Sequence, residues 1–109
     1  MKLAIVGSRT ITNLDISQYI PEGVTEIVSG GARGIDTLAA EYARAHRLIL
    51  TEFLPEYDKY GKSAPLKRND LIVGYADEGI AFWDGVSRGT MYTVKRFEKL
   101  GKKITVIKI

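Results

Sequence analysis

The chain contains no cysteine and one histidine, His46. Without cysteine there is no disulfide, no thiol nucleophile and no thiolate-ligated metal, and one imidazole cannot build a histidine-based metal cluster. No metal or cofactor is expected. Long apolar runs are missing too: the longest span four to five residues, against the ~20 needed to cross a bilayer, so no membrane partner is expected. Met1-Lys2-Leu3 leads into an apolar strand-like run instead of a signal peptide, which points to a cytoplasmic protein. Proline is scarce, at three residues, and no repeat or low-complexity tract breaks the chain.

What is present is an ordinary globular composition. With 109 residues, 45% hydrophobic and 27% charged, the chain has the size of one domain, residues 1–109, with one core and no linker. The net charge of +3 hides an asymmetry: residues 86–109 hold seven Lys/Arg against Glu98 alone, whereas residues 1–85 are net acidic. Lys95, Arg96, Lys99, Lys102 and Lys103 read either as a basic ridge suited to nucleic acid or as a solvated helix face whose cations lie near the helix C-terminus.

Five short apolar or β-branched runs have the look of strands covered on both faces: Leu3–Val6, Glu26–Val28, Leu48–Leu50, Ile80–Trp83 and Ile104–Ile107. Helical periods lie between them. Ile35, Leu38, Ala39, Tyr42 and Ala43 make one stripe, with Asp36 in the first turn. Residues 90–100 place Met91, Val94 and Phe97 together and end at Gly101. Leu66–Tyr75 follows Pro65, and a short first helix is expected over residues 14–20, capped by Thr12 or Asn13. Residues 55–63 read as an extended loop carrying Tyr57 and Tyr60, either packed or able to fold over a ligand. Alternating strands and helices predict an α/β fold, a single Rossmann-like domain whose five-stranded parallel sheet runs 3-2-1-4-5 with helices on both faces.

In that order strands 2, 1 and 4 are neighbours, and the polar loops that follow them meet at one edge. These are Gly7-Ser8-Arg9, Ser29-Gly30-Gly31-Ala32-Arg33-Gly34 running into Asp36, and Asp84-Gly85-Val86-Ser87-Arg88-Gly89-Thr90. Glycines admit close backbone approach, helix-start amides favour an anion, and an arginine in each loop adds charge-assisted recognition of phosphate. The glycine spacing matches neither a P-loop nor a dinucleotide fingerprint. Taken singly, each cluster could be a tight turn and nothing more; together they predict a phosphate-cradling site. Arg68-Asn69, on the third helix, reads by itself as surface as readily as site.

The ordered set Gly7-Ser8-Arg9, Ser29 to Asp36, Tyr60-Gly61-Lys62 with Ala64, Arg68-Asn69 and Ser87-Arg88-Gly89-Thr90 resembles the SLOG superfamily, which includes DprA/Smf and the Lonely Guy (LOG) phosphoribohydrolases. It is most similar to the small stand-alone YspA-like members. The resemblance implies a Rossmann-like fold and a pocket for a nucleotide or nucleotide-derived, ADP-ribose-like ligand, and it brings Arg68 and Asn69 into the site. A homodimer is common in the superfamily. Two departures bear on activity. LOG enzymes carry a glutamate three residues beyond their Gly-Thr pair, where this chain has Thr93, so hydrolysis of the ribosyl bond is not implied. DprA carries flanking domains for which this chain has no room. The expectation is therefore ligand binding, with a nucleotide-processing enzyme using Asp36 or Asp84, and single-stranded DNA binding, as the alternatives.

Overall fold

The computed structural model describes residues 1–109. All five strand-like runs become strands: β1 (Lys2–Gly7), β2 (Glu26–Ser29), β3 (Ile49–Glu52), β4 (Glu78–Trp83) and β5 (Ile104–Lys108). They form one all-parallel sheet in the order β3-β2-β1-β4-β5, as the alternation of elements predicts. The central pair β1 and β4 is registered Ile5 to Ile80 and Gly7 to Phe82, so both strands end together where the loops begin.

Side chains along each strand alternate between two faces, and each face has its own core. Leu3, Ile5, Ile27, Ile80 and Phe82 pack with Ile35, Ala39 and Ala43 of α1 (Ile35–Ala45). Ala4, Val6, Val28 and Ala81 pack against α3 (Ala64–Tyr75) and α4 (Arg88–Lys99) through Ile72, Val73, Val94 and Phe97. Small residues on the second face let two helices settle closely; a Cβ at Gly79 would stand 2.9 Å from the Phe97 ring. The sheet thus has helices on both faces.

Two expected elements differ. Residues 14–20 form only a 3-10 turn, Ser17–Tyr19, and neither Thr12 nor Asn13 caps a helix there. Asp15 Oδ1 accepts from both the Ser17 amide (3.0 Å) and hydroxyl (2.5 Å), a local side-chain bond that competes with helix formation in so short a segment. The segment still serves the core: Ile11 and Ile16 are buried, and Tyr19 meets Phe82 edge to face at 5.4 Å. The second difference is the expected extended loop after β3, which contains the helical turn α2 (Tyr57–Tyr60) and a 3-10 turn, Gly61–Ser63, feeding α3.

The basic ridge is also thinner than its sequence. Lys102 Nζ donates to the carbonyls of Val73 (2.7 Å), Gly74 (3.1 Å) and Ala76 (2.7 Å), closing the C-terminus of α3. Arg96 Nε pairs with Asp70 at 3.2 Å, where Tyr92 also donates at 2.8 Å, latching α4 to α3. Lys95, Lys99 and Lys103 remain exposed.

Helix α1 ends without a glycine. Arg47 takes the left-handed conformation, φ 55°, just before Leu48 donates back to the Ala43 carbonyl at 2.9 Å. A side chain there costs roughly 1 kcal/mol relative to glycine. Arg47→Gly is therefore expected to raise unfolding free energy by about 0.5–1 kcal/mol, read as a higher urea midpoint with unchanged slope; an unchanged or lower midpoint contradicts it.

Candidate functional site

The carboxyl ends of β2, β1 and β4 open onto a cavity of about 360 Å³. Of the residues expected at the site, Gly7, Arg9, Gly30, Ala32, Asp36, Arg68, Asn69, Asp84, Ser87, Gly89 and Thr90 line it. An adjoining hollow of about 290 Å³ shares Arg9, Gly30, Ala32 and Arg68 with it and adds Gly31, Arg33, Pro55 and Tyr57. Three arginines from three segments therefore stand around one continuous opening.

Five expected residues lie behind or beside the cavity. Ser8 is buried and works on loops: its Oγ accepts the Asp84 amide at 3.1 Å, and its carbonyl accepts from Ile11 and Ile35. Ser29 is fully buried. Gly34 starts α1 with φ +75°, and a Cβ there would lie 2.5 Å from the Arg9 carbonyl oxygen, so only glycine lets the first two loops touch. Gly85 turns beside Lys108, and Arg88, the first residue of α4, is exposed.

Arg68 is the most constrained of the site's cations. It is 6% exposed; Nη1 donates to the Gly30 carbonyl and, at 3.4 Å, to that of Phe53, while Nε reaches Asn69 Oδ1 at 2.8 Å. None of these bonds uses Nη2. A Cβ at Gly30 would stand 2.5 Å from Nη1 and 3.0 Å from Asp36 Oδ2, so any side chain there would push the guanidinium off the Gly30 carbonyl. Burial makes the Arg68 guanidinium easier to deprotonate than usual; the charge of Asp36 opposes this and that of Arg9 adds to it. Arg9 and Arg68 thus repel each other across a cavity into which an anion would fit favourably.

Asp36, in the first turn of α1, is 9% exposed and has its carboxyl pushed up chiefly by burial, with the Ala32 amide (3.1 Å to Oδ2) and Arg68 pulling it back. The Ser29 hydroxyl lies near enough to ease that charge but makes no hydrogen bond of ordinary geometry. Asp84 is used differently. Its Oδ1 accepts the amides of Val86 (2.9 Å) and Ser87 (2.8 Å), and its Oδ2 accepts the Thr10 hydroxyl at 3.1 Å. Those amides hold its carboxyl below the usual range and fix the third loop before α4 begins. There the Ser87 hydroxyl caps the Thr90 amide at 3.3 Å.

Several loop amides have no acceptor. Those of Arg9, Thr10, Gly31, Arg33 and Gly34 donate to nothing within the chain. Unpaired amides beside arginines are the chemistry of an anion site. Sequence reasoning missed Val6, Thr10, Pro65, Leu66 and Ile72 as lining residues. Pro65, Asn69 and Ile72 recur at helical spacing, so the stripe containing Asn69 was the available signal. Thr93 also faces the cavity, its hydroxyl donating to the Gly89 carbonyl at 3.0 Å. Tyr57 reaches the outer hollow, whereas Tyr60 stands apart beside Leu54 and Leu71.

Comparison with protein-family profiles, curated proteins and solved structures finds no match to the chain. No helix is long and apolar enough to cross a membrane.

The two aspartates should tilt stability in opposite directions with pH. A lowered folded pKa gives Asp84 a stabilising contribution that is present above about pH 4 and is lost as pH falls through its folded value. The raised pKa of Asp36 contributes stability below about pH 4 that is lost as pH rises through its folded value. Relative to wild type, Asp84→Asn should lose stability at pH 7 and recover it towards pH 3, and Asp36→Asn should gain with rising pH. Urea midpoints across pH 3–7 read both; slopes of the same sign would contradict the assignment.

Proposed function

We propose that the chain binds a nucleotide or nucleotide-derived, ADP-ribose-like ligand through its phosphates, and that it binds this ligand without cleaving it. The observation that carries the reading is the convergence of Arg9, Arg33 and Arg68 with unpaired amides of the first two loops around one opening. The opening offers charge, amide donors and an arginine fork together, the combination that suits a phosphate better than a lone carboxylate. Apolar wall from Val6, Pro65, Leu66 and Ile72 gives the inner part a surface for a ring.

Support for binding over cleavage comes from the carboxylates. Thr93 stands where a LOG glutamate would be expected, and its hydroxyl is bound to the helix backbone. Both Asp84 oxygens are occupied by the loops they organise. The nucleic-acid alternative loses support on the ridge, where Lys102 and Arg96 are engaged in closing and latching helices.

Arg33 provides the cleanest test, being exposed and free of internal hydrogen bonds. Calorimetric titration against a panel of nucleoside mono- and diphosphates and ADP-ribose is expected to find a ligand. Arg33→Ala should weaken it by about 10- to 100-fold, the value of one charge-assisted contact, while stability stays within ~0.5 kcal/mol. No binding to wild type, or equal binding by the variant, would overturn the reading.

A further inference from the structure

Asp36 places a negative group on the floor of a cavity whose other features attract anions. Its Oδ2 accepts the Ala32 amide, the one hydrogen bond of ordinary geometry that the carboxylate makes, while the Ser29 hydroxyl and the Gly30 amide lie close enough to ease its charge. Asp36 lines the cavity beside Gly30, on the side where the Arg68 guanidinium also approaches that glycine. The other lining carboxylate, Asp84, has both oxygens occupied. Asp36, with one ordinary hydrogen bond against three for Asp84, therefore keeps the larger spare acceptor capacity of the two lining carboxylates.

A phosphate cannot sit against that carboxylate without like-charge repulsion, so the phosphates belong outward, among Arg9, Arg33 and the amides of Gly31 and Arg33. What lies against Asp36 must donate. In a nucleotide the donors nearest the phosphates are the sugar hydroxyls, and a carboxylate accepting one of them gives a charge-assisted bond. A buried acceptor also rejects an analogue lacking the hydroxyl, because the acceptor is then left unpaired.

We infer that Asp36 is the specificity-determining residue that selects a ribose over a deoxyribose by accepting a hydrogen bond from a free ribose hydroxyl, with the phosphates held outward by Arg9 and Arg33. This inference rests on the phosphate-binding reading above and sharpens it to ribonucleotides. Glycine at position 30 is what makes the contact available, since any side chain there would stand between Arg68 and Asp36.

The test titrates the wild-type chain with inorganic pyrophosphate and with adenosine and guanosine diphosphates as ribo, 2′-deoxy, 3′-deoxy and 2′,3′-dideoxy forms. Pyrophosphate should bind. At least one ribonucleotide should bind about 10- to 100-fold more tightly than its dideoxy form, the range for an unpaired charged acceptor. Asp36→Asn presents an amide in place of the carboxylate; it should lose that preference and bind pyrophosphate more tightly because a negative charge has gone. Pyrophosphate binding with no ribose preference in wild type, or a full preference retained by Asp36→Asn, overturns this inference and leaves the phosphate site standing. If neither pyrophosphate nor any nucleotide binds wild type, both fall. Should Asp36→Asn fail to fold, the wild-type series alone decides.

Discussion

The Arg68 guanidinium, buried against the Gly30 carbonyl, ties together parts of the chain that lie 38 residues apart. It fixes α3 to the loop after β2, sets the distance between that loop and the Phe53 carbonyl after β3, and does so through Nη1 and Nε without using Nη2. A buried arginine with no direct carboxylate partner is costly, and this one is stabilised by carbonyl dipoles and by Asp36 acting across Gly30. Several residues that look like independent choices in the sequence follow from this contact. Gly30 is bare so that the guanidinium can reach the backbone, Asp36 is buried to balance it, and Asn69 holds its Nε side.

The parallel sheet supplies the second constraint. Strands 1 and 4 lie side by side while their connections depart to opposite faces, which leaves a crevice outside their carboxyl ends. Ser8 spans it: its hydroxyl accepts the amide of Asp84, and its carbonyl receives the amide that begins α1. Asp84 then anchors the third loop back to Thr10. The three loops are thus preorganised by their own hydrogen bonds, while several amides of the first two loops have no partner within the chain. Preorganisation of this kind lowers the ordering cost of binding.

Much of the fold was legible because parallel strands buried on both faces write themselves as short apolar runs; Leu3–Val6 and Ile80–Trp83 are such runs, and their order followed from the alternation with helices. The helix expected over residues 14–20 is replaced by a 3-10 turn, since seven residues around Asp15 hold too little periodicity to reveal that its side chain would bond Ser17 instead. The α2 turn hid for the same reason, its aromatic and charged residues having no buried face. At the site, glycine and arginine loops announced themselves, and Arg33 and Arg9 lie where their loops suggest. What the sequence concealed was division of labour. Ser8 and Asp84 look like ligand groups and also organise loops, Lys102 looks like surface charge but closes α3, and Ile72 looks like core but also walls the cavity. Each distinction depends on contacts between distant segments, which periodicity does not encode.

The central claim, that an anion sits at the first two loops between Arg9 and Arg33, is most directly tested by backbone amide and arginine Nε resonances during titration with ADP and with pyrophosphate. The account expects the largest saturable shifts at the amides of Arg9, Thr10, Gly31 and Arg33, which have no partner within the chain, and at the Nε of Arg9 and Arg33. Shifts confined to Lys95, Lys99 and Lys103 on and beyond α4, or no saturable shift in the loops, would contradict it.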